Sequence, residues 1–445
     1  MAQLTDYVLA AVEAARAAGA DYADAYCRDG IEASVEVEKS SINYCASIRD
    51  QGLSVRAFVN GGAGFASVQQ LDIEGARECA RRAVEMARAT HPDPDFVALP
   101  EPTVAEDIPE LFDDEMAGLS ADTFVQWCVR GIEEARSVAD DAIVQGGVGA
   151  SSGESALASS TGVCVTDRGT SAGMSFSVIV ARDGEVGMYF EQDMARRMAD
   201  LEPEGIAEKA AREALRQLGS RPAGTRRMPI VLGPLASMGL IGSVVGAMNA
   251  DSVQHNRSYL AGLEGEQIAS ELLTIREDPR VPAGMRSARF DGEGVARQAM
   301  TLLDRGRLTS YLHNSYTANK AHVPNNAHAS RHGYSGPVGV SASNLLVQPG
   351  LLPEAKLIAE IDEGLYIAYA GLSPNTVTGE LSTTADFGFK IEKGEITHPL
   401  STTLIGSDAV EMLRGIEGVS SDFRQEPGFI MPSLRIASVQ VAGQS

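Results

Sequence analysis

From Met228 to Ala250 the chain carries no charged residue and no histidine. A run of that length is compatible with a bilayer span, a nucleotide-binding turn or a buried core element. The membrane reading is poor. Pro234, four glycines (Gly233, Gly239, Gly242 and Gly246), two serines and Asn249 interrupt it. A phosphate-binding turn fails too, because the run contains neither GxGxxG nor GxxxxGK[ST], and so neither the backbone cradle nor the lysine. PIVLG reads instead as a buried strand, followed by a turn and a short apolar helix. The spacing Gly242-x-x-x-Gly246 would let another backbone approach closely, although ordinary close packing accounts for it equally well.

A strand–turn–helix without charge needs a large core around it. With 445 residues, the chain has material for two or three domains. Its net charge of −23 argues against nucleic acid or anionic membrane as a partner, since both require clustered Lys and Arg. Only short basic pairs such as Arg226-Arg227 occur. The N-terminal MAQLTDYVLAAVEAARAAGA is not a secretory signal, because Asp6, Glu13 and Arg16 interrupt it. Its Leu4, Val8, Leu9, Val12 and Ala15 fall at helical spacing instead. The expected location is the cytoplasm. Cys27, Cys45, Cys79, Cys128 and Cys164 are odd in number and widely spaced, as reduced thiols would be, and no cysteine follows Cys164.

One plan recurs in the first half. A helix over residues 2–19 precedes alternating runs (ASVEVEK, NYCASIRDQGLSVRAFV, GAGFASV) and a second helix from Ile73. A helix with Ser120 as N-cap then precedes VQGGVGAS, ALASSTGVCVTDRG and SAGMSFSVIVARDGEVG, followed by the helix PEGIAEKAAREALRQL. Asp50-Gln51-Gly52 and Asp167-Arg168-Gly169 read as matching turns, and Asp183-Gly184 as a hairpin. The expected architecture is α+β in two domains. Residues 1–222 form a helix–antiparallel-sheet–helix domain with a possible duplication (1–90 and 118–218), and residues 223–445 form a strand-rich domain. His91 to Met116, rich in proline and acid, reads as an extended surface connection. Hairpins are expected at Asp304-Arg305-Gly306 and Lys393-Gly394, within antiparallel sheets with few helices.

The residues alone name no catalytic constellation. There is no HExxH. His328 and His332 are four apart, with His322 and His313 upstream, but the surrounding Asn, Ser and Gly residues do not read as a helix and no general base accompanies them. No serine sits in a recognisable strand-to-helix nucleophile elbow. Glu264 and Glu266 could work as a carboxylate pair or simply be solvated.

The order of segments nevertheless resembles the TldD/PmbA family over nearly the whole chain. The likeness lies in YCRDGIEASVEVEKSSINYCASIRDQGLSVRAFVNGGAGFAS, in the VLGP strand, in EGEQIASELLTIREDP and in FDGEGVARQAMTLLDRGRLTSYLHNSYTANKA. It continues through TGELSTTADFGFKIEKGEITHPLSTTLIGS to the terminal VAGQ. The resemblance implies a two-subunit zinc peptidase acting on short or unfolded peptides. In it, a TldD-like subunit carries HExxxH on the helix after VLGP and a cysteine near its C-terminus, while a PmbA (TldE)-like subunit lacks the full ligand set. Counting back from Ser270-Glu271-Leu272 places Ile241, Gly242 and Gly246 where His, Glu and His would stand. None of these side chains can bind zinc or activate water.

The implied role is therefore a subunit with no catalytic residue and no metal of its own. It would pair with a zinc-bearing TldD-like partner, complete a shared peptide cavity, and grip an extended substrate by strand addition. A homodimer is also open. The alternative is a stand-alone, zinc-independent homodimer in natural-product or peptide processing, with His255, Glu264, His328 and His332 as candidate cavity residues.

Overall fold

Seventeen- to nineteen-residue strands dominate the first half of the chain, because small and apolar residues alternate there over long distances. The computed structural model describes residues 3–443. Helix α1 (Leu4–Ala17) leads into β1 (Tyr22–Glu38), β2 (Ser41–Val59), β3 (Gly62–Val68) and α2 (Ile73–Ala89). After the short α3 (Asp114–Ala117) come α4 (Ala121–Val138), β4 (Ile143–Ser159), β5 (Cys164–Arg182), β6 (Glu185–Ala195) and α5 (Ile206–Arg216). All six strands form one sheet in the order β3-β2-β1-β4-β5-β6. Helix, three strands, helix thus occurs twice, and the two units meet where β1 and β4 pair antiparallel with Gly30 opposite Gly153.

One sheet face is covered by helices. Ala76, Cys79, Ala80, Ala83, Val84 and Ala87 form the buried stripe of α2, and pack with α1 on Ala25, Cys27, Leu53 and Val55. In the second unit Phe124 and Cys128 of α4 and the alanines of α5 cover Val148, Met174, Phe176 and Val178. Side chains cap both α2 and α4, the latter through Ser120 as the sequence suggests. Asp72 accepts from the Gly75 N–H at 2.6 Å, and Ser120 from the Thr123 N–H at 3.4 Å. Asp183 and Gly184 both take positive φ, as do Asn60 and Gly61, so the strands turn through the tight mirror-image turns that suit sheet twist.

Two expectations need correction. Asp50–Gly52 and Asp167–Gly169 are not turns: both lie inside strands, paired without interruption to β1 and β4. Nor do they match, for Asp50 stands nine residues after the start of β2 and Asp167 three after the start of β5. Their glycines answer to close approach from above. A Cβ on Gly52 would lie 2.3 Å from the Tyr334 ring, and one on Gly169 would lie 2.8 Å from Nη1 of Arg196. The segment from His91 is also more than a surface connection. It has no helix or strand before α3, yet it buries Leu99, Ile108 and Leu111 and stacks Phe96 on Phe58 at 3.8 Å.

The second half is built on a larger sheet. Strand β7 (Thr225–Leu232) is followed by Gly233 as N-cap, Pro234 at the first helical turn, and α6 (Pro234–Ala247). Leu240, Ile241, Val244 and Val245 of α6 pack onto Ile230, Leu232, Leu365, Ile367, Leu434 and Ile436. That sheet is mixed rather than antiparallel: β7 runs parallel to Glu363–Ala370, and Leu345–Val347 parallel to Phe429–Gly443. The hairpins at Arg305-Gly306 and Lys393-Gly394 are present with positive φ at both residues. Of the terminal VAGQ, Val441 to Gly443 close the last strand, and Gln444 lies outside the described residues. Among the described residues no helix is long and apolar enough to cross a membrane.

Candidate functional site

Helix α6 turns Leu240, Ile241, Val244 and Val245 to the core and two of its glycines outward. Ile241 is fully buried, whereas Gly242 and Gly246 are exposed, and a Cβ on either would meet no atom within 4 Å. At 100° per residue, positions 241 and 246 diverge by roughly 140°, whereas 242 and 246 share a face. Of the three positions aligned with the zinc motif, Ile241 thus faces the core and the two glycines face outward. Neither offers a donor atom, so the residues on this face do not fit a metal. Among the described residues no group of three or more His, Cys, Asp or Glu is arranged to hold one.

Glycine inside a helix is about 1 kcal/mol less favourable than alanine. Here no intramolecular contact compensates. Gly242→Ala and Gly246→Ala are each expected to raise the stability of the isolated chain by about 0.5–1 kcal/mol. Urea unfolding checks this, and a loss of stability would mean that the face is covered within the chain.

The same face continues to Asn249, whose side chain caps α7 (Ala250–Gln254) at 2.9 Å from the Asp251 N–H and donates to the Val340 carbonyl at 2.9 Å. Asn249 stands at the rim of a cavity of about 390 Å³ between the two halves of the chain. Phe58, Phe96 and Leu99 line its apolar side, and Arg56, Glu293 and Ser315 its polar floor.

That floor is a charge cluster drawn from five segments. Asp24 of β1 accepts from Arg56 of β2 at 3.0 Å, and from Arg331 of the second half at 3.1 Å. Arg56 reaches Glu293 at 3.1 Å, and Glu293 in turn accepts from the N–H and hydroxyl of Ser315. Burial disfavours the Asp24 carboxylate, but the charges and hydrogen bonds of Arg56 and Arg331 outweigh it and hold its pKa below the usual range. Two guanidinium groups face two carboxylates in this cluster, which joins the two halves.

The other sequence candidates do not gather here. None of His255, Glu264, His328 and His332 lines this cavity. His255 is exposed at the end of α7, with Nδ1 2.8 Å from the Asp251 carbonyl, and Glu264 is exposed in a turn. His328 and His332 bracket the strand Ala329–Arg331, which separates them by about 13 Å of extended chain. His332 is exposed, whereas His328 is buried against Glu277, with Nε2 3.1 Å from Oε2. Arg226 and Arg227 are spent on Glu363 and Glu411. The Asp24 cluster carries no sequence signal, since its members lie up to 307 residues apart.

The chain matches the PmbA/TldA metallopeptidase domain 1 over residues 23–87, the central domain over 114–218 and the C-terminal domain over 225–443. Among curated proteins, "Metalloprotease PmbA" of Escherichia coli O157:H7 is 28% identical, covering 92% of this chain and 88% of that one. A "Metalloprotease TldD homolog" of Buchnera aphidicola is 25% identical over 92% of this chain and 87% of its own length. Among solved structures, TldE from Thermococcus kodakarensis superposes with a TM-score of 0.89 at 26% identity, covering 97% of this chain and 99% of the other. The three domain matches and these full-length similarities establish that the chain belongs to the PmbA/TldD metallopeptidase family.

Proposed function

We propose that this chain is the PmbA/TldE-like subunit of a two-chain metallopeptidase: it contributes fold and cavity, and a TldD-like partner contributes the zinc and the hydrolysis. One observation carries the reading. On the helix after the VLG strand, the outward face presents Gly242 and Gly246, with open space above both. A face that gives up helix stability and gains no contact within its own chain suits a surface against which another chain lies closely. The names PmbA and TldE borne by similar proteins support the same side of the family. The substrates are short or unfolded peptides, and the compartment is the cytoplasm.

The test is metal content and peptidase activity of the purified chain, alone and mixed with an HExxxH-bearing homologue from the same genome. We expect no bound zinc and no cleavage alone, with a stable complex and activity on mixing. Stoichiometric zinc, or chelator-sensitive cleavage by this chain alone, would sink the proposal.

A further inference from the structure

The face of the six-stranded sheet that carries no helix contains a second site, centred on an arginine with no carboxylate hydrogen-bonded to it. The Arg196 guanidinium donates to four backbone carbonyls: Gly284 at 2.8 Å, Leu111 at 3.2 Å, Met285 at 3.1 Å and Ser287 at 3.3 Å. Four of its five N–H protons are thereby used, leaving one on Nη1. Nη1 lies over Gly169, at a point where any larger residue would displace it. Arg196, Gly169, Ser151, Ser155 and Ser171 share a cavity of about 330 Å³. Ser151 and Ser171 face each other at 2.8 Å, so only one of the two hydroxyl protons serves their mutual bond.

The surface leading to this cavity is bare. From Gly147 to Ser155 on β4, and from Gly169 to Ser175 on β5, every residue on this face is glycine or serine. A second cavity, of about 720 Å³, adjoins along Gly147, Gly149 and Gly173. Glycines inside strands mark places where another backbone comes close.

We infer that Arg196 and the serines beside it bind the free C-terminal carboxylate of an extended peptide whose backbone lies along the Gly/Ser floor. This rests on the peptide-handling role proposed above. The unmatched Nη1 proton and a seryl hydroxyl are the donors to the carboxylate oxygens. Asp167, two residues from Gly169 on the same face of β5 and 4.0 Å from Arg289, also lines the cavity, and its charge opposes the incoming anion.

The test is fluorescence anisotropy with an N-terminally labelled alanine–serine hexapeptide on the full chain. The peptide is offered as the free acid, as the C-terminal amide, and as an amide with an internal glutamate. The free acid is expected to bind at least 10-fold more tightly than either amide. Arg196→Gln should bring that ratio to about one, and Asp167→Asn should tighten the acid several-fold without moving the amide. Equal binding of acid and plain amide overturns the carboxylate site and leaves the peptide reading standing. A glutamate amide that binds like the acid overturns the C-terminal assignment. No binding of any peptide overturns both the site and the peptide reading. Should Arg196→Gln fail to fold, Asp167→Asn decides: no gain in affinity for the acid rejects the site.

Discussion

Asp24→Ala is expected to remove roughly 3–5 kcal/mol of stability, because it leaves the buried Arg331 guanidinium without a bonded carboxylate and takes from Arg56 one of its two. Asp24 is 2% exposed, and Arg56 and Arg331 both hydrogen-bond to it. The loss falls on the junction between the halves rather than on either core, so proteolysis near His91 to Met116 should rise before global unfolding. The pH dependence follows from the depressed pKa. A carboxyl lower in the folded than in the unfolded state contributes its full stability above the unfolded value, near 3.9, and loses it as pH falls through the folded value. Acid unfolding of the wild type should therefore steepen below about pH 4, and the variant should lack that component. Urea titrations at pH 7 and pH 3.5 measure both effects. A difference between wild type and variant that is the same at the two pH values would refute the assignment.

His328→Ala is expected to cost a comparable 3–5 kcal/mol, through the opposite imbalance: a buried carboxylate left alone. Both His328 and Glu277 have side chains 1% exposed. The surrounding bonds fix where the protons sit. Asn326 Oδ1 accepts from the His313 N–H at 2.7 Å while its Nδ2 donates to the Tyr311 carbonyl at 2.8 Å, so the amide cannot be flipped. His328 Nδ1, 2.8 Å from that same Oδ1, must be a donor. Its Nε2 then shares a proton with Glu277, whose other oxygen accepts from the Ser343 N–H at 2.7 Å. Burial opposes the Glu277 charge, and the hydrogen bond and charge of His328 overcome it, holding the pKa low. A double-mutant cycle with Glu277→Ala should give a coupling of at least about 1 kcal/mol, since removing both partners costs less than the sum. Additive effects would show that the two do not act as a pair. His328 is thus a core residue of the second half, not a residue of the cavity.

The fold was legible wherever a local rule governs it. Periodic alanines announced α2 and α5, Ser120 announced α4, and the Asp-Gly, Arg-Gly and Lys-Gly pairs announced hairpins, because caps and tight turns are set by a few adjacent residues. The same turn chemistry misled at Gly52 and Gly169. A glycine demanded by a side chain arriving from far along the chain looks, in one dimension, like a glycine demanded by a turn. The parallel pairings of the second sheet were illegible for a related reason: they join strands more than 80 residues apart, and no local signal encodes the partner.

The sequence by itself determined that the run after Met228 is a core strand and helix, and that the helix brings no metal-binding side chain. Each follows from residue type and spacing along a single element. Only the tertiary structure decided which way that helix faces, turning Ile241 inward and Gly242 and Gly246 outward. It alone brought Asp24, Arg56, Glu293 and Arg331 together, and laid Arg196 over Gly169. A buried charge is tolerable only where its partners are, and those partners came from strands and loops that the chain itself holds far apart.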